Sequence, residues 1–174
     1  YAIVAVALDA VAATRSRLAK ERALTNALRW ACGCGSAAAD DVAAVCYLMA
    51  PQKDAQSGGH RLQPDYVPGG VLGLSGKTIE AAAASAARTS VEGLRAAAKR
   101  RGGSLSEAVA ALRSEPSAFF RTRAPPPRGE PPAPLGAAEV RAALLGVGAI
   151  AGAGAESRKR DACAALLRRC GPRE

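Results

Sequence analysis

The 174 residues hold 24 Lys and Arg against 15 Asp and Glu, a net charge of +9, and are 49% hydrophobic but only 3% aromatic. Much of the apolar share is alanine, in runs such as Ala81 to Ala84, which suits helices and close helix packing and fits strands poorly, so an all-β sandwich or barrel is excluded. The longest uncharged apolar run, Ala142 to Ala155, falls short of the roughly 17 residues needed to cross a bilayer, and Glu156, Arg158, Lys159 and Arg160 follow it.

Apolar residues recurring at i, i+3, i+4 and i+7 predict a series of amphipathic helices. Ile3, Val4, Ala7, Leu8 and Val11 form the first stripe; Asp9 in its middle and the missing basic leader argue for an amphipathic helix over a signal peptide. Leu24, Ala27, Leu28 and Ala31 form the second, with Ser16 as its N-cap. Val42, Val45, Cys46 and Met49 form the third, which Pro51 stops. A Gly-, Pro- and Asp-rich loop is expected over 52–73, then a fourth helix over 78–87. Thr89-Ser-Val-Glu92 and Ser104-Leu-Ser-Glu107 read as capping boxes that open a fifth helix, with Val91, Leu94 and Ala98 inside, and a sixth, with Leu105, Ala108, Val109 and Leu112 inside.

Prolines at 116, 125–127, 131, 132 and 134 mark an extended linker, bounded here as 116–135. A seventh helix is expected around Val140, Ala143, Leu144 and Val147, and an eighth around Cys163, Leu166, Leu167 and Cys170 with Ser157 at or near its start. The sequence thus divides into a first helical part, 1–115, the linker, and two further helices over 136–174. Two helices cannot bury their faces alone, so the last part must pack on the first or on chain beyond Glu174. Because it begins at Tyr1, the chain reads as a piece of a longer product.

Charge is uneven along this order. Residues 1–75 carry seven Lys/Arg against six Asp/Glu, 76–115 seven against four, and 116–174 ten against five. The basic excess grows toward the C-terminus, where Arg158-Lys159-Arg160 follows a glycine-rich loop, and this favours a polyanionic partner. Five cysteines, an odd number without any C-x-x-C, argue for a reducing compartment and against a disulfide framework; with a single histidine, His60, they argue against a zinc site as well.

Three segments look like chemistry. Gly76-Lys77-Thr78 opening a helix is reminiscent of a phosphate-binding P-loop, but the pattern needs a glycine where Val71 stands, and no buried strand precedes it. Gly146-Val-Gly148 fits a loose dinucleotide fingerprint but lies in a helical pattern. Lys159-Arg-Asp161-Ala162 is one residue short of the Lys-x-Asp-Gly of nucleotidyltransferases and reads as a charged helix start. Paired carboxylates occur only as Asp40-Asp41, explained by an acidic first helical turn. No self-contained active site can be assembled.

Taken in order, the chain resembles the N-terminal DNA-binding domain of eukaryotic-type ATP-dependent DNA ligases, closest to the replicative DNA ligase I type. Thr14-Arg-Ser-Arg17-Leu is similar to the family's small-x-Ser-Arg-Leu run, and Leu24-Thr-Asn-Ala-Leu28-Arg29 to its Leu-Ser-Asn-hydrophobic-Leu-Arg. Val45-Cys-Tyr-Leu48-Met-Ala-Pro51 resembles its hydrophobic-Tyr-Leu segment that ends in proline, and Gly70-Val-Leu-Gly73-Leu-Ser-Gly76-Lys-Thr-Ile79 its Leu-Gly-hydrophobic-Gly stretch. Ala124-Pro-Pro-Pro127 resembles the proline run, and Glu156-Ser157-Arg158-Lys159-Arg160 its Ser-x-x-Lys-Lys. The loop over 52–68 is longer than the family's, and the loop over 146–155 is richer in glycine.

The resemblance implies an all-α, truncated DNA-binding domain that holds nicked duplex DNA as a monomer, without sequence preference and with no membrane contact. It implies adenylation and OB-fold domains farther along the parent protein, ATP and Mg²⁺ as that enzyme's cofactors with none used by this piece, and a nuclear or organellar location. This piece alone should neither take up AMP nor seal nicks. The expected DNA contacts are Ser16, Arg17 and Lys20 at the second helix and Ser157, Lys159 and Arg160 at the eighth, where hydroxyls, helix-start amides and cations can meet phosphates. Trp30 is expected to be a packing anchor. A P-loop-like nucleotide-binding protein using Gly76, Lys77 and Thr78, and a purely structural helical module, remain the alternatives.

Overall fold

The computed structural model describes residues 2–33, 39–64, 66–114 and 135–170. Eight helices make up the fold among these residues: α1 (Ala2–Ala12), α2 (Arg17–Gly33), α3 (Ala39–Met49), α4 (Gly76–Ala86), α5 (Val91–Arg100), α6 (Leu105–Ser114), α7 (Ala137–Ala149) and α8 (Ala155–Arg169). The expected all-α class is what the structure shows. The linker expected over 116–135 lies outside the described residues but for Leu135, which is buried.

Alanine sets the character of the core. Near one end, Val4, Ala31, Ala44, Val45 and Ala137 join α1, α2, α3 and the start of α7. Elsewhere Ala83, Ala84, Leu94, Ala97, Ala98 and Ala108 join α4, α5 and α6, with Leu167 of α8 against them. Side chains this small let helix axes approach closely, so burial is achieved with few large residues.

The helices that follow the proline-rich stretch pack back among the first six. Helix α7 lies on α3, and α8 lies on α4 and α7. Asp41 helps to seat α7: its carboxylate accepts the Ala138 N–H at 3.2 Å, supplying a cap that Gly136, the helix's own N-cap, lacks. Arg141 on α7 reaches the Leu62 carbonyl at 2.8 Å and lies 5.1 Å from the centre of the Tyr47 ring. Arg113 donates to the Leu167 and Arg168 carbonyls and closes the C-terminal end of α8.

Four expectations are corrected. The loop over 52–73 contains a two-stranded antiparallel hairpin, β1 (Gln52–Lys53) and β2 (His60–Arg61), with Val71 bridged to Arg61. Asp54 organises it, accepting from the Ser57 amide and hydroxyl and pairing with Arg61 at 2.9 Å. Thr89 is not the cap of α5. The end of α4 takes Arg88 in a left-handed conformation and sends the Thr89 N–H to the Ala84 carbonyl, leaving Ser90 to accept from the Gly93 N–H. Ser104 does cap α6, accepting from the Glu107 N–H. Trp30 is 56% exposed, because Ala27 and Ala31 carry the inward face of α2 and position 30 lies about 100° away from 31. Cys46 likewise turns outward while Ala44 and Val45 are buried.

Candidate nucleic-acid interface

Two helix starts carry the residues expected to meet phosphate, and they are built differently. At α2, the Ser16 hydroxyl accepts from the Ala19 N–H at 3.4 Å, and the Ser16 N–H donates to Thr14 Oγ1 at 3.1 Å. Arg17 pairs with Glu21 one turn on, at 2.7 Å, in an exposed i,i+4 contact that a phosphate can displace at little cost. Lys20 is half-buried, and its own N–H closes the first helical bond to the Ser16 carbonyl.

At α8, Gly154 occupies the N-cap in the left-handed region, with φ of 70°, and supplies no side-chain cap. The Ala155 N–H donates to the Gly152 carbonyl at 3.1 Å, and helix geometry leaves the next two amides of the first turn without partners inside the helix, at the positive end of the dipole. Ser157 is exposed in the first turn and accepts from the Arg160 guanidinium at 3.1 Å; Arg160 also pairs with Asp161. Arg158 folds back on the glycine-rich turn, donating to the Ala151 and Ala153 carbonyls. Lys159 points elsewhere: half-buried, it donates to the Leu72 carbonyl at 3.1 Å.

A third helix start, which sequence reasoning assigned to different chemistry, stands beside that of α8. Thr78 near the start of α4 bonds to Glu156, and Ser85 toward its end bonds to Arg168, so α4 and α8 run parallel with their N-termini together. Ser75 caps α4, its hydroxyl accepting from the Thr78 N–H at 3.1 Å. The Thr78 hydroxyl donates to Glu156 at 3.0 Å, which leaves Ser75 the donor in their 2.8 Å contact. Gly73, Ser75, Gly76 and Lys77 are exposed at this end. Serine at the N-cap was a readable signal for the helix start; the pairing of Thr78 with a residue 78 positions away was not.

This geometry disagrees with a P-loop. The Thr78 hydroxyl, which would be needed on a metal, is buried and committed to Ser75 and Glu156. Glu156 accepts from that hydroxyl at 3.0 Å, so the hydroxyl proton is already engaged within the protein. Gly146 and Gly148 lie inside α7 and form no nucleotide turn; Gly148 is there because a Cβ would come 2.9 Å from the Val71 carbonyl oxygen. Among the described residues no group of His, Cys, Asp and Glu is arranged to hold a metal ion, and no helix is long and apolar enough to cross a membrane.

The α2 and α8 groups are not brought into one cluster. Helix α2 packs on α1 and α3, and α8 on α4 and α7. What α8 gains instead is the neighbouring start of α4, with Lys77 exposed beside it.

The family described as DNA ligase N terminus matches residues 1–174, the full length of the chain. The chain belongs to that family. No curated protein matches it. As a DNA ligase N-terminal domain it has DNA as its indicated partner.

Proposed function

We propose that this ligase N-terminal domain grips nicked duplex DNA as a monomer, without reading its sequence. The parent enzyme in this reading is an ATP- and Mg²⁺-dependent ligase of replication, repair and recombination in the nucleus or a DNA-containing organelle. The observation that carries the reading is the parallel pairing of α4 and α8, which sets two helix N-termini side by side with Lys77, Ser157 and Arg160 exposed or half-exposed around them. Backbone amides and hydroxyls meet phosphate oxygens, and the cations release condensed counterions; neither interaction distinguishes one base pair from another. Ser16, Arg17 and Lys20 form the second contact group on the same terms. Lys159 lies with the α8 group in sequence but turns inward to the Leu72 carbonyl.

Arg160→Ala and Arg17→Ala, each in the otherwise unaltered chain, test the assignment on a nicked duplex. Removing one phosphate contact lowers the magnitude of the log K against log[salt] slope by about 0.9 on B-form DNA. Each folded variant should show that decrement and weaken binding equally on duplexes of unrelated sequence. Unchanged slopes in both would remove these helix starts from the interface.

A further inference from the structure

Among the three consecutive cations at the start of α8, Lys159 alone bonds far along the chain. Arg158 and Arg160 bond within seven residues of themselves, whereas the Lys159 ammonium reaches a carbonyl 87 positions away, at Leu72. That carbonyl belongs to the segment leading into α4. We infer that Lys159 is a positioning residue for this segment: it holds the 71–75 turn against α8 so that the start of α4 faces the DNA, and it is not itself a phosphate ligand. The inference rests on the duplex-binding reading.

The turn is fastened on its inner side and open on its outer side. The Leu72 N–H donates to the His60 carbonyl at 3.0 Å, Val71 is bridged to Arg61, and Leu74 packs against Ala82, Val147, Cys163 and Ala164. Helix α7 presses on the Val71 carbonyl at Gly148, where a Cβ would lie 2.9 Å from the oxygen. Lys159 completes this clamp from α8. Gly73 allows it to do so, since it takes φ of 53° and a Cβ there would lie 3.1 Å from the ammonium nitrogen. The residues that follow the clamped carbonyl, Gly73, Ser75, Gly76 and Lys77, are the exposed ones. A lysine whose charge is spent on an inner carbonyl affects affinity through the geometry of the neutral amides it orients. A lysine on a phosphate affects affinity through counterion release.

Two variants of the full chain separate these roles on a nicked duplex. Lys159→Met keeps the aliphatic stem and removes the donor and the charge. Gly73→Ala keeps every charge, crowds the ammonium so that it must shift by a few tenths of an ångström, and strains the turn at its φ of 53°. Both should bind about tenfold more weakly, the effect of removing one charge-assisted hydrogen bond, with a salt slope equal to that of the unaltered chain. In both, the amides that follow Leu72 should exchange with solvent faster while helicity is retained. A slope lowered by about 0.9 in Lys159→Met, with Gly73→Ala binding normally, would make Lys159 a phosphate ligand and overturn the inference while leaving duplex binding intact. Normal affinity in both variants would also overturn it. If Lys159→Met does not fold, Gly73→Ala decides by its affinity and exchange alone. Failure of the unaltered folded chain to bind any duplex would remove the functional reading and the inference with it.

Discussion

The starts of α2 and α8 share a vocabulary of serine, arginine and lysine, yet the structure uses it in two ways. At α2 every bond of Ser16 and Arg17 stays within four residues, so the site is a capped helix end with a solvated cation pair. At α8 the same residue types sit within a network that reaches Leu72 and Thr78, and a second helix start is drawn alongside. A cap-and-cation signature thus specifies a local structure, while the partner across the chain specifies whether it becomes part of a larger surface. Substitutions at the α4–α8 pair should therefore propagate, and substitutions at α2 should stay local.

Packing gives the largest contrast. Ala164 is 1% exposed where α8 meets α4, so Ala164→Leu has no room and should cost about 1–3 kcal/mol, with loss of duplex binding as the two helix starts separate. Ala19→Leu on the exposed side of α2 should stay within about 0.5 kcal/mol. Denaturant unfolding of both variants measures this, and equal effects would mean that the α4–α8 contact is no tighter than a surface.

Capping comes next. Ser16→Ala removes one cap hydrogen bond from an exposed helix start and should cost about 1 kcal/mol. Ser75→Ala also withdraws one of the two partners of the buried Thr78 hydroxyl, the other being Glu156, so it should cost nearer to about 2 kcal/mol, the upper part of the capping range. Thermal unfolding of the pair sharpens the comparison; a larger loss at Ser16 would reverse it.

A gain is expected at the far end of α4. Arg88 is held at φ of 55°, the left-handed conformation in which a side chain is strained, and it occupies the position after the helix where glycine is preferred. Arg88→Gly should raise stability by about 0.5–1 kcal/mol in the same unfolding experiment, without altering the N-terminal end where binding is assigned. A destabilised Arg88→Gly would show that the arginine side chain makes contacts exceeding the strain.

The smallest effect is local and appears in acid. Hydrogen bonds from Ser57, then the Arg61 guanidinium, hold the Asp54 carboxyl well below the usual carboxylate range. A depressed folded-state pKa contributes stability that is present above the unfolded value, near about 4, and disappears as pH falls through the folded one. The Asp54 carboxyl resonance should therefore be constant from neutral pH to about 4 and shift only below it. Asp54→Asn should loosen the hairpin at neutral pH. Arg61, which also donates to the Val67 carbonyl, ties this hairpin to the rest of the loop.

Local periodicity made the helices legible. Leu94 and Ala98 in α5, Val140 and Val147 in α7, and Cys163 and Cys170 at α8 are buried as their spacing requires. The hairpin was illegible because two-residue strands carry no alternation, and its register is set by the side chain of Asp54. Trp30 misled because its size suggested a core role while its position on the helical wheel placed it outside. At the candidate interface, Ser16 and Ser157 could be placed at helix starts from sequence alone. The approach of Glu156 to Thr78 and of Lys159 to Leu72 could not, since nothing in the separate segments encodes which of several Ala-rich faces will pair.

The most direct test of the account is the salt dependence of binding by the unaltered chain to nicked duplexes of equal length and unrelated sequence. Equal affinities that fall together and linearly in log K against log[salt], at about 0.9 per phosphate engaged, are the result the paired helix starts predict. A folded chain that binds no duplex at low salt, or whose affinity is indifferent to salt, would contradict it.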